Sequence, residues 1–437
     1  MFSKIKLSFR SINYKLYLAL LLIGFLPTIY NTLRVFFLGQ LPGEWSYSIA
    51  GQLTWVNLLY EITNEAIILP LFYFMGKAKH NKAMFSNLIR TGLLITFAIY
   101  ALLSAAIMVF AEPLLSLMAA EPGIIAASAT YIRIESVANL FAILSQFLLV
   151  ALVTLDKEAY LYAFAGARFV LYLIFDTFFV SSFPISANLG VNGVGYSNVL
   201  VNAILLIVSV VLLSRERICI FTKKPVCFRW IREFMHVGGI SGLESLVRNV
   251  AYMVMISRMV NMVGEQGTYW VANNFIWGWL LLPVLQLGEL IKQEVSADKN
   301  MIRKNTRGYF GITSIIAILW MISIPVWKPF LVHIFGFPDV DKLFRLVVLL
   351  AVFYVPFAFQ NIFDATFYGL GKTKYMLFES IVTNSLYYGT AFLLYKCGVW
   401  VPTLTGIVLL FGLGNVFDSF VSFFAYKWML KKEKINI

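Results

Sequence analysis

Long apolar stretches alternate with short polar connections along the whole chain. A helix that crosses the hydrocarbon core of a bilayer, roughly 30 Å thick, needs about 20 consecutive apolar residues. Stretches of this kind cover residues 14–38, 47–75, 88–110, 124–153, 160–180, 191–213, 237–263, 269–291, 308–326, 344–368, 375–395 and 401–428. In lipid every backbone N–H and C=O needs a partner within the protein, and continuous apolar runs achieve this as helices. The pattern predicts an all-α integral membrane protein with twelve transmembrane helices.

The composition excludes a water-soluble globular protein. Hydrophobic residues make up 60% of the chain, charged residues make up 13%, and the mean hydropathy is +0.80. A net charge of +13 would suggest nucleic acid as a partner of a soluble protein, but here the basic residues concentrate in alternate connections between spans. By the positive-inside rule this places both termini in the cytosol. We expect the chain to lie in the plasma (inner) membrane. We expect no nucleic acid partner.

The spans fall into two groups of six, separated by a polar, basic run. We therefore predict an N-terminal six-helix lobe over residues 1–213, a cytosolic basic linker over 214–233, and a C-terminal six-helix lobe over 234–437. The first apolar run is too long for the core of a signal peptide, so we expect it to be retained as the first helix.

The two halves resemble each other in sequence. Gly24 precedes Arg34 by the same spacing as Gly238 precedes Arg248. Residues 47–55 and 269–277 also share Tyr, Ala and Trp at equal spacing. Duplication in the same orientation predicts two pseudo-symmetric lobes related by an axis along the membrane normal, with a substrate cleft between them.

Acidic residues within predicted spans are candidates for ion coupling. A charge at a helix centre costs about 2.5 to 3.5 kcal/mol on insertion scales, so such residues usually face a bundle interior or a wet cavity. Asp176 is the N-terminal candidate because it lies deep in an apolar helix and could exchange a proton there. Glu244 and Asp364 form the C-terminal candidate site. The alternative is a purely structural role for these acids, such as a bond from Asp176 to Arg168.

Arg34 and Arg248 occupy equivalent positions in the repeat and are candidates for the substrate cleft. Guanidinium groups offer forked donors to carboxylates and phosphates, which would suit an anionic substrate. The alternative is that they brace helices, Arg34 with Glu61 or Glu65 and Arg248 with Glu244 or Glu289. These three further glutamates are therefore also cleft candidates: Glu61, Glu65 and Glu289.

Aromatic and proline residues add further candidates. Trp55, Trp277 and Tyr252 could line a cleft that stacks flat or cationic compounds, although aromatics in spans often face lipid or the core. Pro27 and Pro356 interrupt helices and are candidate hinges. The three cysteines and three histidines lack metal-ligand spacing, so we expect no metal and no cofactor apart from a coupling proton or sodium ion.

Several motifs resemble the multidrug and toxic compound extrusion (MATE) family, within the group that also contains lipid-linked oligosaccharide flippases. They are the Gly-x-x-Pro ending at Pro27, the Gly39 that ends the first span, residues 169–180 followed by 190–195, and residues 368–374. The resemblance implies two six-helix lobes and export coupled to inward flow of protons or sodium ions.

The sequence departs from the family in its first helix, where Arg34 occupies the position of an Asp found in bacterial drug pumps of the family. In the fifth helix Asp176 matches the family acid, whereas Tyr172 stands where the archaeal-type pattern has Asn. The N-terminal lobe therefore departs from the family's usual pair of coupling acids.

These observations predict a secondary active exporter of organic, amphipathic cations that works by alternating access. The partners expected are a small-molecule substrate and membrane lipid, and we expect a monomer. The alternative is a flippase for an anionic lipid-linked saccharide, which Arg34 and Arg248 would favour. A membrane enzyme is disfavoured because the sequence has no catalytic His/Asp/Ser cluster near either membrane face. A channel is disfavoured because a chain built of two repeats is typical of transporters, in which the two halves rock around a central binding site.

Overall fold

The computed structural model describes residues 8–41, 45–78, 81–155, 159–216, 218 and 226–435. These residues form helices joined by short turns, and no β-strand occurs among them. The first group of helices comprises α1 (Tyr14–Gly39), α2 (Ser46–Ala78), α3 (Lys82–Leu117), α4 (Ile125–Thr154), α5 (Ala159–Phe179) and α6 (Val191–Arg215). The predicted linker 214–233 falls partly outside the described residues.

The second group of helices contains four π-helical segments. The α-helices are α7 (Ile231–Tyr252), α8 (Arg258–Met262), α9 (Gln266–Phe275), α10 (Leu282–Ala297), α11 (Asn300–Phe330), α12 (Val340–Gly369), α13 (Lys374–Val382), α14 (Gly389–Lys396) and α15 (Leu404–Lys432). The π-helical segments are Met253–Ser257, Ile276–Leu280, Leu331–Phe335 and Thr383–Tyr388. Segments of this kind inside α-helices frequently occur at functional sites.

Eight of these helices are long and apolar enough to cross a membrane, and a ninth span results if the pair Gln266–Leu280 and Leu282–Ala297, bent by 53°, is counted as one. The chain is thus a multi-pass, all-helical membrane protein, and the number twelve stays a prediction. Large apolar side chains on these helices remain exposed, including Leu22 (63%), Leu102 (74%) and Ile322 (68%). Such faces suit contact with lipid acyl chains rather than water.

The helices group into two compact units. Unit 1 contains Met1–Gly39 and Val254–Ile437, and unit 2 contains Gln40–Met253. The first helix therefore packs with the C-terminal helices, and α7 packs with the N-terminal ones. The predicted lobes follow the sequence repeat instead, and their bounds stay a prediction.

Unit 2 is held together by a large apolar core with tight glycine contacts. Trp55, Phe85 and Phe147 are each at most 1% exposed. A Cβ on Gly195 of α6 would lie 2.8 Å from Ile134 Cγ2 of α4, so these two helices approach closely. Close-packed interiors of this kind resist changes in side-chain volume.

Unit 1 is built around contacts between α1 and the helices near residue 280. The hydroxyl of Tyr17 donates to the Pro283 carbonyl at 2.9 Å, and the hydroxyl of Thr28 donates to the Gly278 carbonyl at 2.9 Å. In a membrane, dispersion drives much of the packing between helices, and hydrogen bonds between helices add specificity to it. These bonds fix the register of α1 within unit 1.

A carboxylate just beyond α15 joins two loops of unit 1. Glu433 Oε2 lies 2.6 Å from Lys299 Nζ, and its Oε1 lies 3.0 Å from Lys372 Nζ. Lys299 lies between α10 and α11, and Lys372 lies between α12 and α13. Hydrogen bonds from Lys299 and then Lys372 lower the pKa of Glu433 from 4.5 to about 2.

We predict that Glu433→Gln loosens the last turn of α15. A lowered carboxyl pKa means that the contribution to stability is fully present above pH 4.5 and is lost as the pH falls through about 2. Hydrogen exchange of the amides of residues 429–435 should therefore be faster in the variant at neutral pH. The difference between the two proteins should vanish as the pH falls through about 2. Lys432→Gln is the control because it changes a neighbouring charge and leaves both ion pairs. Equal exchange in all three proteins would contradict the prediction.

Candidate functional site

Unit 2 contains a cluster in which three carboxylates surround one arginine. Arg248 Nη1 lies 3.1 Å from Glu61 Oε1, Nη2 lies 2.8 Å from Glu65 Oε1, and Nε lies 3.3 Å from Glu244 Oε1. Glu61 and Glu65 stand one turn apart on α2, and Glu244 stands one turn before Arg248 on α7. Because three acids face one base, this Arg248 cluster carries excess negative charge when its acids are ionised.

Glycines of α7 allow this cluster to form. A Cβ on Gly238 would lie 2.1 Å from the Ala66 carbonyl oxygen, and a Cβ on Gly242 would lie 2.8 Å from Ala66 Cβ. Small residues four apart let two membrane helices approach closely. The approach brings Arg248 within hydrogen-bond reach of α2.

The expected pairing of the two arginines differs in part from the observed one. Glu61 and Glu65, which the bracing alternative assigned to Arg34, bind Arg248, while the expected bond between Arg248 and Glu244 is present. The half-buried Arg34 has its Cζ 5.6 Å from the ring centroid of Tyr30. The role of either arginine toward a substrate stays a prediction.

Asp176 is nearly completely buried on α5. The residue is 1% exposed, and its carbonyl oxygen accepts the backbone N–H groups of Val180 and Ser181. This burial places Asp176 inside unit 2 rather than against lipid, as an acid in a membrane helix requires. Its role in coupling stays a prediction.

A second buried acid in unit 2 is Glu135 of α4, to which the sequence assigned no role. It is 3% exposed, and Glu135 Oε1 accepts a hydrogen bond from Asn198 Nδ2 of α6 at 2.7 Å. Nearby, the hydroxyls of Tyr60 and Ser104 lie 2.9 Å apart. The only sequence signal was an acid within an apolar span, because the partner on α6 depends on how the helices pack.

Unit 1 contains three carboxylates on three different helices, which we call the carboxylate triad: Asp364 of α12, Glu379 of α13 and Asp418 of α15. Gln360 Nε2 donates to Asp418 Oδ2 at 2.6 Å and is 3.3 Å from Asp364 Oδ2. Glu379 lies close enough to Asp364 and Asp418 for their charges to act on one another. The Gln360 amide thus bridges two of the three acids.

Hydroxyl groups complete the surroundings of the triad. Thr383 Oγ1 donates to Asp418 Oδ1 at 2.6 Å, and Ser422 Oγ donates to Asp364 Oδ1 at 3.0 Å. Thr383 is also the first residue of the π-helical segment Thr383–Tyr388. Donors therefore hold both aspartates in place.

The sequence-predicted pair Glu244 and Asp364 falls into different units. Glu244 belongs to unit 2 and to the Arg248 cluster, whereas Asp364 belongs to unit 1 and to the carboxylate triad. Among the described residues, no group of three or more His, Cys, Asp or Glu side chains has the arrangement of a metal site.

The aromatic candidates differ in their exposure. Trp55 is 1% exposed, and its Nε1 donates to Gln52 Oε1 at 3.0 Å. Trp277 is 42% exposed and lies in the π-helical segment Ile276–Leu280. Its Nε1 donates to the Tyr354 hydroxyl at 3.1 Å, and this bond fixes the orientation of the indole ring. Tyr252 is half-buried at the end of α7.

The remaining candidates have local partners or lie within helices. Glu289 Oε1 lies 2.6 Å from Lys292 Nζ, and that ammonium group lies 4.9 Å from the ring centroid of Tyr368. Pro27 lies inside α1 and Pro356 lies inside α12. The expected hinge role of these prolines stays a prediction.

Comparisons with known proteins agree with this architecture. The MatE family model matches residues 74–178. An inward-facing multidrug resistance MATE family transporter of the MOP superfamily is 18% identical with a TM-score of 0.72, covering 93% of this chain and 95% of that chain. An outward-facing transporter of the same description is 16% identical with a TM-score of 0.67, covering 98% of each chain.

A variant of the Vibrio cholerae MATE transporter VcmN is 15% identical with a TM-score of 0.64, again covering 98% of each chain. No curated protein matches the chain. At these identities the likeness to solved structures establishes the fold. The match to the MatE model and the shared fold together confirm the resemblance to the MATE family of multidrug transporters that the sequence motifs indicated.

Proposed function

We propose that the chain is a secondary active exporter of organic, amphipathic cations that exchanges them for protons or sodium ions. In this proposal twelve helices form two six-helix lobes that alternate access across the plasma membrane, and both termini lie in the cytosol. The protein works as a monomer. The multidrug resistance transporters with the same fold, captured facing inward and facing outward, support this mode of action.

The observation that carries the proposal is the excess of acid over base in the Arg248 cluster. Its side chains are partly open, since Arg248 is 42% exposed and Glu61 is 39% exposed. A partly desolvated group of carboxylates attracts cations and repels anions, since electrostatic interactions strengthen as the local dielectric falls. An organic cation therefore suits this cluster better than an organic anion does.

The rival function, a flippase for an anionic lipid-linked saccharide, depends on arginines that are available to a phosphate. Arg248 already donates to Glu61, Glu65 and Glu244. A guanidinium group that is engaged on all three of its nitrogens offers little to a further anion. This engagement supports the exporter over the flippase.

The test is efflux of a fluorescent organic cation from proteoliposomes, with sodium and pH gradients imposed separately. We expect one of the two gradients to drive efflux, Asp176→Asn to abolish it, and Arg34→Ala to leave it close to wild type. Glu112→Gln is the control, because Glu112 is an exposed acid of the same unit, paired with Arg133 at 3.1 Å. Absence of gradient-driven efflux, or loss in Arg34→Ala together with full activity in Asp176→Asn, would refute the exporter.

A further inference from the structure

The chain before α1 lies across the start of α11 in unit 1. Residues 8–11 form one helical turn, which we call the N-terminal turn, and its Ser8 hydroxyl donates to the Lys304 carbonyl. A Cβ on Gly308 would lie 2.7 Å from Ile12 Cδ1. The lack of a side chain at this glycine therefore lets the N-terminal turn approach the backbone of α11.

Three arginines lie beside this contact without an acidic partner. Arg303 and Arg307 stand one turn apart on α11, next to the strip that the N-terminal turn covers, and Arg10 is the exposed residue of the turn itself. Within the described part of the chain, none of their guanidinium groups forms an ion pair. Like charges one turn apart on a helix repel each other. An anion that neutralises the three groups would therefore be bound favourably.

Two acids of the same region are engaged by other donors. Glu294 Oε1 accepts the backbone N–H of Asn13 at 2.9 Å, and its Oε2 accepts hydrogen bonds from Asn305 Nδ2 at 2.7 Å and from the Tyr309 hydroxyl. Glu433, just beyond α15, is already paired with two lysines. These bonds hold the N-terminal turn against α10 and α11, and they leave the charge of the three arginines uncompensated.

The position of the arginines at the ends of two apolar spans favours a lipid over a soluble anion. The apolar run of α1 begins at Tyr14, soon after Arg10, and that of α11 begins at residue 308. Tyr14, Leu18 and Leu22 follow one another turn by turn along α1 and are 44%, 59% and 63% exposed. This strip suits acyl chains, while the arginines at its end suit a phosphate at the level of the head groups.

We propose that Arg10, Arg303 and Arg307 form a binding site for the phosphate of an anionic phospholipid, such as phosphatidylglycerol. Guanidinium groups donate paired hydrogen bonds to phosphate oxygens. A zwitterionic lipid is disfavoured because its choline group would add a further positive charge to the three arginines. The bound lipid joins the N-terminal turn to α11. The inference goes beyond the proposed function, since it requires neither a transported cation nor a coupling ion.

Lipid binding to the purified full-length protein in detergent tests the site without any transport. The probes are phosphatidylglycerol and phosphatidylcholine with the same fluorophore on one acyl chain, and the measurement is fluorescence anisotropy. We expect wild type to bind phosphatidylglycerol more tightly than phosphatidylcholine. Each basic group near a membrane surface changes the affinity for anionic lipid about fivefold, so Arg303→Gln combined with Arg307→Gln should weaken phosphatidylglycerol binding roughly 25-fold. Arg10→Gln should weaken it about fivefold.

Lys82→Gln combined with Arg215→Gln is the matched control. Both are exposed basic residues at helix ends of unit 2, so the control removes the same charge elsewhere and should bind phosphatidylglycerol as wild type does. Equal loss in the control, equal binding of the two lipids by wild type, or full binding by Arg10→Gln overturns the proposal. Displacement of the lipid by sodium phosphate, but not by sodium chloride of the same ionic strength, would assign the site to a free anion and overturn it as well.

Hydrogen exchange of wild type decides the same question if the arginine variants fail to fold. Bilayer discs of phosphatidylcholine with added phosphatidylglycerol are compared with discs of phosphatidylcholine alone. We expect the anionic lipid to slow amide exchange in residues 8–13, because it joins the N-terminal turn to α11, and to leave residues 82–88 of α3 unchanged. Equal exchange of residues 8–13 in both discs overturns the proposal. Failure of the efflux experiment would refute the exporter and leave these binding results unaffected.

Discussion

Replacing Arg248 with alanine is expected to lower the stability of the protein by about 1 to 3 kcal/mol. Removing one partner from a buried ion pair costs about 3 to 5 kcal/mol, while exposed pairs contribute about 0.2 to 1 kcal/mol. The Arg248 side chain is 42% exposed, so the cost should fall between these ranges. Without the guanidinium, Glu65 and Glu244 would remain as close carboxylates in a mostly buried site. The measurement is the apparent melting temperature in detergent.

Neutralising the acids should restore part of that loss. The combination Arg248→Ala, Glu61→Gln and Glu65→Gln removes two of the three unpaired charges and leaves Glu244, so it should melt closer to wild type than Arg248→Ala alone. Arg133→Ala is the matched control, because Arg133 pairs with the exposed Glu112 and should cost little. If the triple variant melts at or below Arg248→Ala, unpaired charge is not the reason for the loss.

Replacing Gly238 with alanine should separate α7 from α2. The new Cβ would lie 2.1 Å from the Ala66 carbonyl oxygen, which belongs to a helix backbone and cannot rotate away. Overpacking of a tight interface typically costs about 1 to 3 kcal/mol. We expect a lower apparent melting temperature and weaker pairing of Arg248 with α2, measured as faster hydrogen exchange in α7.

The next residue provides the control for this substitution. A Cβ on Gly239 would meet nothing within 4 Å. Both substitutions gain the same helix propensity, about 1 kcal/mol for alanine over glycine. Gly239→Ala should therefore melt at or above wild type, and an equal loss in both variants would show that close contact with Ala66 is not what the glycine provides.

The sequence predicted the positions of the helices well because apolar length is a local property. The second span was expected at residues 47–75, and α2 runs from Ser46 to Ala78. The ninth was expected at 308–326, whereas α11 runs from Asn300 to Phe330. The extra turns include the polar residues around Arg303, because a helix can continue beyond the hydrocarbon core, where hydropathy no longer reports it.

The candidate sites were predictable only as individual charges. Glu244 with Arg248 and Glu61 with Glu65 are pairs within one helix, so their spacing was visible in the sequence. That these two pairs meet depends on the glycine contacts of α7, and that Asp364 meets Glu379 and Asp418 depends on the rotation of three helices about their axes. Sequence spacing within a helix carries no information on such rotations.

The packing of α1 within unit 1 has a consequence for synthesis on the ribosome. The hydroxyl of Tyr17 reaches its acceptor, Pro283, across 266 residues of sequence. At about 5 to 20 residues per second, translation needs about 13 to 53 seconds to produce that partner. Throughout this interval the first helix is held by lipid or by the insertion machinery alone, so the earliest segment to enter the membrane is among the last to reach its final neighbours.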